Sequence, residues 1–377
     1  MQITEVETII VRLPQIEAKC DGTQDALLVK IHTDNGLTGF GEVDSSPEVA
    51  KAIFDAPFSH TIASGLRQLL LGEDPRDVER LWEKMYRGTI YFGRRGAAIH
   101  ALSGADIALW NLLGKATGLP CYQMLGGAYQ TRLRAYASDL MPPTPDAAER
   151  RAAQMRDAGF TALKFGWGPL GKDEKTDIAL VAAARRGFGD ENDFMIDIGL
   201  CWDAVTAIAR CRRLAEYNPY WVEEPLPPDD LVGYGRLADA GTGVRIAAGE
   251  EESTCWGFAD LIERGKIDVV QADISRAGGL TESRRIAQMA HQRNLLCVPH
   301  AFSTGVLLAA SAHWAASIPN GGLVEYTVAE SPLATGLTGT GLLREPLRAV
   351  DGYLSLSDAP GLGIELDEEF IARYRVA

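Results

Sequence analysis

Six polar residues set at one interval constrain this chain more than any other feature. Asp197, Glu223, Glu250, Asp273, His300 and Glu325 each close a short apolar run, and the gaps between them are 26, 27, 23, 27 and 25 residues. A strand, a helix and two loops take about that many residues, so the period predicts repeated βα units. When such units close into a parallel barrel, the C-terminal strand ends meet at one mouth, where catalytic side chains gather. Five carboxylates and an imidazole then share a single cleft. Helix N-capping is the competing explanation for any one acid that follows a strand. Caps accept Ser, Thr and Asn as readily, whereas all six positions here carry a carboxylate or an imidazole.

The rest of the chain supports a barrel with a domain ahead of it. Candidate strands end near Ser138, Gly166, Asp197, Glu223, Glu250, Asp273, His300 and Glu325, and amphipathic stretches such as 147–158 and 280–293 lie between them. Before Arg132 the rhythm differs. Residues 2–13 are rich in β-branched side chains, residues 27–32 alternate, and Asp34-Asn35-Gly36 is a hairpin signal that continues a meander to about Val43. Helical spacing follows over 76–89 and 95–116, with Gly118 and Pro120 as the stop. The expected organisation is an α+β domain over 1–125, a βα barrel over 126–345, and a segment over 346–377 that folds back on the first domain. A Gly/Thr-rich loop, Thr335–Gly341, precedes that segment.

A chain of 377 residues accommodates a barrel of roughly 250 residues plus a smaller domain. The net charge of −14 argues against nucleic acid and anionic membranes as partners. It does not argue against a small anionic substrate, because a bound divalent cation can set the local sign. Six scattered cysteines without a CxxC pair, and an N-terminus lacking a basic stretch followed by an apolar run, give a cytoplasmic location as the expectation. Residues 295–324 carry no formal charge, but Pro299, His300, Ser303, Ser311 and Pro319 break them up. A strand, a helix and the next strand fit them better than a membrane span does.

Several motifs carry a resemblance that runs nearly end to end. They are Asp106-Ile107-Ala108-Leu109-Trp110 with Gly114-Lys115, the Gly126-Gly127 pair, Glu223-Glu224-Pro225, Gly249-Glu250, and His300 with Asp273. As a set they resemble the enolase superfamily, in its mandelate racemase branch. The resemblance implies an α+β cap over a (β/α)7β TIM-like barrel, one Mg²⁺ per active site, abstraction of a proton next to a carboxylate, and a homo-oligomer.

The chemistry follows from that proton. Its removal leaves a dianionic enediolate, which a hard cation held by oxygen ligands stabilises. Asp197, Glu223 and Glu250 are the expected Mg²⁺ ligands. Glu224, Glu251 and Glu252 compete with them, and the resemblance assigns the first Glu of each run. Asp273 would hold one nitrogen of His300, leaving the other to act as base. By resemblance, Glu325 would be a protonated acid that binds the substrate carboxylate, although it could instead be an ordinary polar residue at the mouth. Lys164 matches the first Lys of a family Lys-x-Lys whose second Lys is a base. Gly166 stands in that second position, and Gly199 stands where the family has Asn. Both changes are expected to enlarge the mouth, and Gly166→Lys to restore a second base if the side chain fits. With His300 alone well placed, β-elimination is the easier reaction: dehydration of an aldonate or aldarate to a 2-keto-3-deoxy acid. An epimerase using Lys164, a sugar-lactone cycloisomerase, and a non-catalytic binding protein remain the alternatives.

Overall fold

The computed structural model describes residues 1–329, 331–334 and 341–376 of the chain, so most of the Gly/Thr-rich loop lies outside the described residues. The first domain opens with an antiparallel meander of β1 (Ile3–Arg12), β2 (Asp25–Thr33) and β3 (Thr38–Val43). Helices Pro47–Asp55, Leu66–Leu70 and Ala97–Thr117 pack against it, and Val78–Thr89 packs on the last two. Pro47–Asp55 buries Pro47, Ala50 and Phe54 along one face.

Eight parallel strands form a TIM-like barrel beside this cap. They are β4 (Arg132–Leu140), β5 (Ala162–Gly166), β6 (Asp193–Asp197), β7 (Val222–Glu223), β8 (Ile246–Ala248), β9 (Val269–Val270), β10 (Leu296–Cys297) and β11 (Leu323–Thr327). Pairing runs in sequence order from β4 to β10, and β11 pairs with β4. At the seam between β10 and β11, the Cys297 amide donates to the Asn320 carbonyl (2.9 Å). A helix follows each of the first seven strands. The one after β10, Gly305–Ala316, is buried all round, which explains the uncharged stretch. Among the described residues, no helix is long and apolar enough to cross a membrane.

The barrel floor explains why the polar residues point inward. Tyr136, Ala162, Met195, Trp221, Ala247, Val269, Val298 and Leu323, one from each strand or its edge, pack together inside the barrel. Side chains on a strand share a face at every second residue. Two residues beyond the floor come Ser138, Lys164, Asp197, Glu223, Gln271, His300 and Glu325, on the same face and one layer nearer the mouth. The parallel register sets Gly166 beside Asp197 and Asp197 beside Glu223, and an isolated bridge pairs Asp273 with His300. Glu250 departs from the alternation. It lies three residues past Ala247, beyond a turn at Gly249.

Two cap carboxylates lock the cap onto the barrel. Glu42, on β3, accepts hydrogen bonds from the hydroxyls of Ser303 (2.6 Å) and Thr304 (2.5 Å) and from the amides of Thr304 (3.2 Å) and Leu307 (2.9 Å). Asp106 accepts from the amide (3.0 Å) and hydroxyl (2.6 Å) of Thr281. Both acids therefore sit at the positive N-terminal ends of barrel helices, where unpaired amides favour an anion. The tail divides between the domains. Tyr353–Ser355, expected on the cap, forms β12 antiparallel to the start of barrel strand β4. The last helix, Glu368–Tyr374, reaches the cap, where Glu368 pairs with Lys30 (2.7 Å) and Arg375 bridges to Val11.

Candidate active site

The barrel mouth and the cap loop around Cys20 and Gly22 line a cleft of about 110 Å³. Asp197, Glu223 and Glu250 meet in its floor, each offering a carboxylate oxygen within 4.8 Å of the others. The competing acids have other partners, although Glu251 also lines the cleft. Glu224 turns back to accept the Gly249 amide (2.8 Å), Glu251 reaches toward Arg276 (3.5 Å), and Glu252 pairs with Arg95 (3.0 Å). Burial and the nearby Glu223 push the Asp197 carboxyl well up, and burial likewise raises Glu250. Such mutual repulsion signals too little positive charge. An all-oxygen donor set of this kind fits a hard divalent cation such as Mg²⁺.

Glu223 is held by three donors. The Trp221 indole (2.8 Å) and the Gln271 amide (2.7 Å) donate to Oε2, and the Lys164 ammonium to Oε1. Lys164 also lies 2.9 Å from Glu325 Oε1, so its ammonium bridges two carboxylates. Burial opposes its charge, but Glu223 and Glu325 outweigh burial and raise it well above the ordinary lysine value.

Glu325 departs from the neutral acid anticipated from sequence. Its Oε1 accepts from Ser138 (2.6 Å) and its Oε2 from the Ala301 amide (2.6 Å). Burial pushes its carboxyl up, yet Lys164 and His300 pull it down further, to about 2. In the ligand-free site these two cations favour its ionised form. Burial among anions alone would favour the neutral acid; the Lys164 ammonium, 161 residues away in sequence, reverses that.

His300 and Asp273 lie together, with Nδ1 2.7 Å from Asp273 Oδ2. The other ring nitrogen, Nε2, lies 3.4 Å from Glu250 and 4.0 Å from Glu325. Burial lowers the imidazole, but Glu250, Glu325 and Asp273 raise it to about 10. Asp273 Oδ1 accepts from the amide (2.7 Å) and hydroxyl (2.6 Å) of Ser275, which fixes the carboxylate that orients the ring. Asp44, Asp273 and His300 also have donors spaced as for a metal. There the protein supplies the cation itself, because Arg276 pairs with Asp44 at 2.7 Å and approaches Asp273 at 3.9 Å.

The two glycines do not enlarge the mouth. A Cβ on Gly166 would lie 2.6 Å from Asp197 Cβ and 2.7 Å from its Oδ2, so Lys at 166 would displace Asp197 before it could act as a base. Gly199 adopts φ +63°, and a Cβ there would lie 2.8 Å from the Trp167 ring. The indole thus takes the space that Gly199 leaves. Ser138, Trp221, Gln271, Arg276 and Asp44 are site residues that sequence reasoning did not single out. Period-2 spacing could have flagged Ser138, Trp221 and Gln271, which share a strand face with residues already chosen. Nothing local marks Asp44 or Arg276.

Residues 147–370 match the enolase C-terminal domain-like family model, and residues 3–126 match the mandelate racemase / muconate lactonizing enzyme N-terminal domain. The chain belongs to this family. It is an enolase-superfamily enzyme, and similar family members act on sugar acids. D-galactarolactone cycloisomerase of Agrobacterium fabrum is 32% identical over 93% of this chain and 91% of that protein. A protein provisionally named L-rhamnonate dehydratase from Caldivirga maquilingensis is 33% identical over 92% of this chain and 83% of its own. A solved Streptomyces coelicolor racemase with bound magnesium superposes with a TM-score of 0.86 at 30% identity, covering 99% of this chain and 100% of that one.

Proposed function

We propose that this family member is a Mg²⁺-dependent enzyme that removes the C2 proton of an acid sugar, α to its carboxylate, and expels the oxygen at C3. The product is a 2-keto-3-deoxy acid. The observation that carries this is the His300–Asp273 pair at 2.7 Å beside three crowded carboxylates, of which only Glu223 is paired with Lys164. Asp197, Glu223 and Glu250 would hold the ion. When bound, it supplies positive charge next to the substrate carboxylate as that group gains electron density.

The chain's own residues account for the proton movements. His300 Nε2 takes the C2 proton, while Asp273 holds Nδ1–H and stabilises the imidazolium. The same Nε2 then returns a proton to the leaving oxygen, so departure is from the face that lost the proton. Among the described residues lining the cleft, His300 is the one imidazole and Lys164 the one amine. Lys164 is committed to Glu223 and Glu325, which suits holding an anionic group better than taking a proton. Inversion at C2 needs proton transfer on both faces, so elimination is favoured over epimerisation.

The leaving oxygen separates two outcomes of one mechanism. If it is a free hydroxyl, water departs and the enzyme is a dehydratase. If it belongs to a ring, the same bond cleavage opens the ring and yields an isomer, as a cycloisomerase would. The relatives' names support both. The test is NMR of an acid-sugar panel in D₂O with Mg²⁺, scoring deuterium at C2 and 2-keto acid formation. Inversion at C2 with the C3 oxygen retained would replace this proposal with an epimerase.

A further inference from the structure

We infer that Trp167 is the specificity-determining wall of the cleft and that it selects a cyclic acid sugar, one whose leaving oxygen lies within the ring. This deepens the proton-abstraction reading above and rests on it. Trp167 directly follows β5 and has φ +56°, a left-handed conformation that costs a non-glycine residue of order 1–3 kcal/mol and clusters at functional sites. Its amide donates to the Asp197 carbonyl (3.2 Å) and its carbonyl accepts from the Leu170 amide (3.2 Å), so the strained backbone is tied at both ends. The loop that follows is tied as well, because the Trp202 indole donates to the Gly171 carbonyl (2.9 Å). The indole is seated on Gly199, where even a Cβ would come within 2.8 Å of the ring. One face of the indole is thus backed by protein, and the residue lines the cleft.

The position of that wall sets what it can read. In the barrel's ring order, β5 and β10 stand three strands apart by the shorter way round, through β4 and β11. His300, just past β10, and Trp167, just past β5, therefore approach a substrate from largely opposed directions. His300 takes its proton from one side of the sugar, and the other side meets an aromatic surface. An indole face is apolar and carries negative π density, so it favours a flat array of C–H bonds. A five-membered lactone or anhydro ring presents such an array. An open-chain sugar acid turns hydroxyls to both sides of its backbone and presents none of comparable size.

The chemistry balances without a co-reactant. The C–H bond α to the free carboxylate breaks with its proton going to His300 Nε2, and the C–O bond at the β-carbon breaks with its electron pair going to the ring oxygen. The ring oxygen departs as a carboxylate from a lactone, or takes the proton from His300 as a hydroxyl from an anhydro sugar. The enol tautomerises to the 2-keto-3-deoxy acid, and no atom is lost.

The test uses the full-length, Mg²⁺-loaded enzyme with 1,4-lactones of hexaric acids and the matching open-chain hexarates, reading kcat/KM for 2-keto acid formation and deuterium exchange at the α-carbon. The wild type is expected to prefer the lactone. Trp167→Ala should lower the lactone-to-open-chain ratio of kcat/KM by about tenfold to a hundredfold, mainly through KM, and Trp167→Phe should restore most of it. Gly199→Ala dislodges the indole from behind and should lower the same ratio, which gives a second route if Trp167→Ala folds poorly. A wild type that prefers open-chain acids, or a ratio unmoved by both folded variants, would overturn the inference while leaving proton abstraction intact. Absence of α-exchange with every acid sugar would instead remove the reading on which it rests.

Discussion

Two sets of buried carboxylates in this molecule meet the same electrostatic demand in opposite ways. At the cap–barrel junction, Glu42 accepts four hydrogen bonds and Asp106 two, all from residues at the start of barrel helices. At the mouth, Asp197 accepts the Gly199 amide (2.9 Å) and otherwise faces Glu223 and Glu250. Residue type and burial are alike in the two places. The difference is the neighbours: helix-end donors offset part of the burial cost at the anchors, whereas at the mouth three carboxylates crowd one another and share Lys164. Buried acids alone do not mark a site; three of them crowded within 4.8 Å, with Asp197 given a single donor, do.

The sharpest way to break this comparison is to neutralise one acid of each kind. Asp197→Asn should abolish Mg²⁺ binding and reduce turnover by about a thousandfold or more, while raising the melting temperature of the metal-free protein, because it removes like-charge repulsion. Calorimetric titration with Mg²⁺ and thermal unfolding with and without the ion report both effects. A metal-free Asp197→Asn protein that melts lower than wild type would erase the distinction between the two sets.

Next in size is the base. His300→Asn should cut α-proton exchange by about 10²–10⁴-fold, and Asp273→Asn by less, with Mg²⁺ affinity near wild type in both. Exchange followed by proton NMR in D₂O decides this, and near-normal exchange in the His300 variant would move the role to Lys164.

The anchors should show the reverse pattern. Glu42→Ala leaves four donors unpaired and should cost about 3 kcal/mol of stability, read by denaturant unfolding, with Mg²⁺ affinity unchanged. Loss of Mg²⁺ binding there would mean that the cap shapes the metal site directly.

A smaller effect concerns His300 itself. In the metal-free protein, burial is outweighed by Glu250, Glu325 and Asp273, which hold the imidazole up to about 10, so it is cationic at pH 8. A cation that takes up the charge of Glu250 should lower that value, and nitrogen-15 NMR of the ring with and without Mg²⁺ measures the change.

The smallest is a slope. Burial, with Asp44 nearby, pushes Glu42 up to about 7, above its ordinary value of 4.5. The folded state then binds this proton more tightly than the unfolded state does. Its contribution to stability is fully present below the ordinary value and declines as pH rises toward 7. Glu42→Gln should flatten that part of the stability–pH curve, and an unchanged slope between pH 5 and 7 would assign it to another group.

Much of the site was open to reading in the chain because the βα period and the two-residue strand period are both local. The first puts six polar residues at one mouth, and the second turns Lys164, Asp197, Glu223, His300 and Glu325 onto the face already occupied by the barrel floor. Glu250 was legible from its motif rather than from alternation, because the chain turns at Gly249 before reaching it. The aromatic wall of the cleft was half legible. Trp167 and Gly199 are plain in the sequence as residues, but not as a ring resting on a backbone.

By itself, then, the sequence determined the barrel, the order of its strands and most of the residues at the mouth through spacing along one segment, with the motif supplying Glu250. Tertiary structure alone decided how those charges are balanced. Lys164 closes on Glu325, Arg276 on Asp44 and Glu42 on Thr304, across 161, 232 and 262 residues of chain. The sign and strength of a buried charge depend on the nearest donors and ions, through interactions that fall off within a few ångströms. No periodicity in the sequence records which distant side chains come that close.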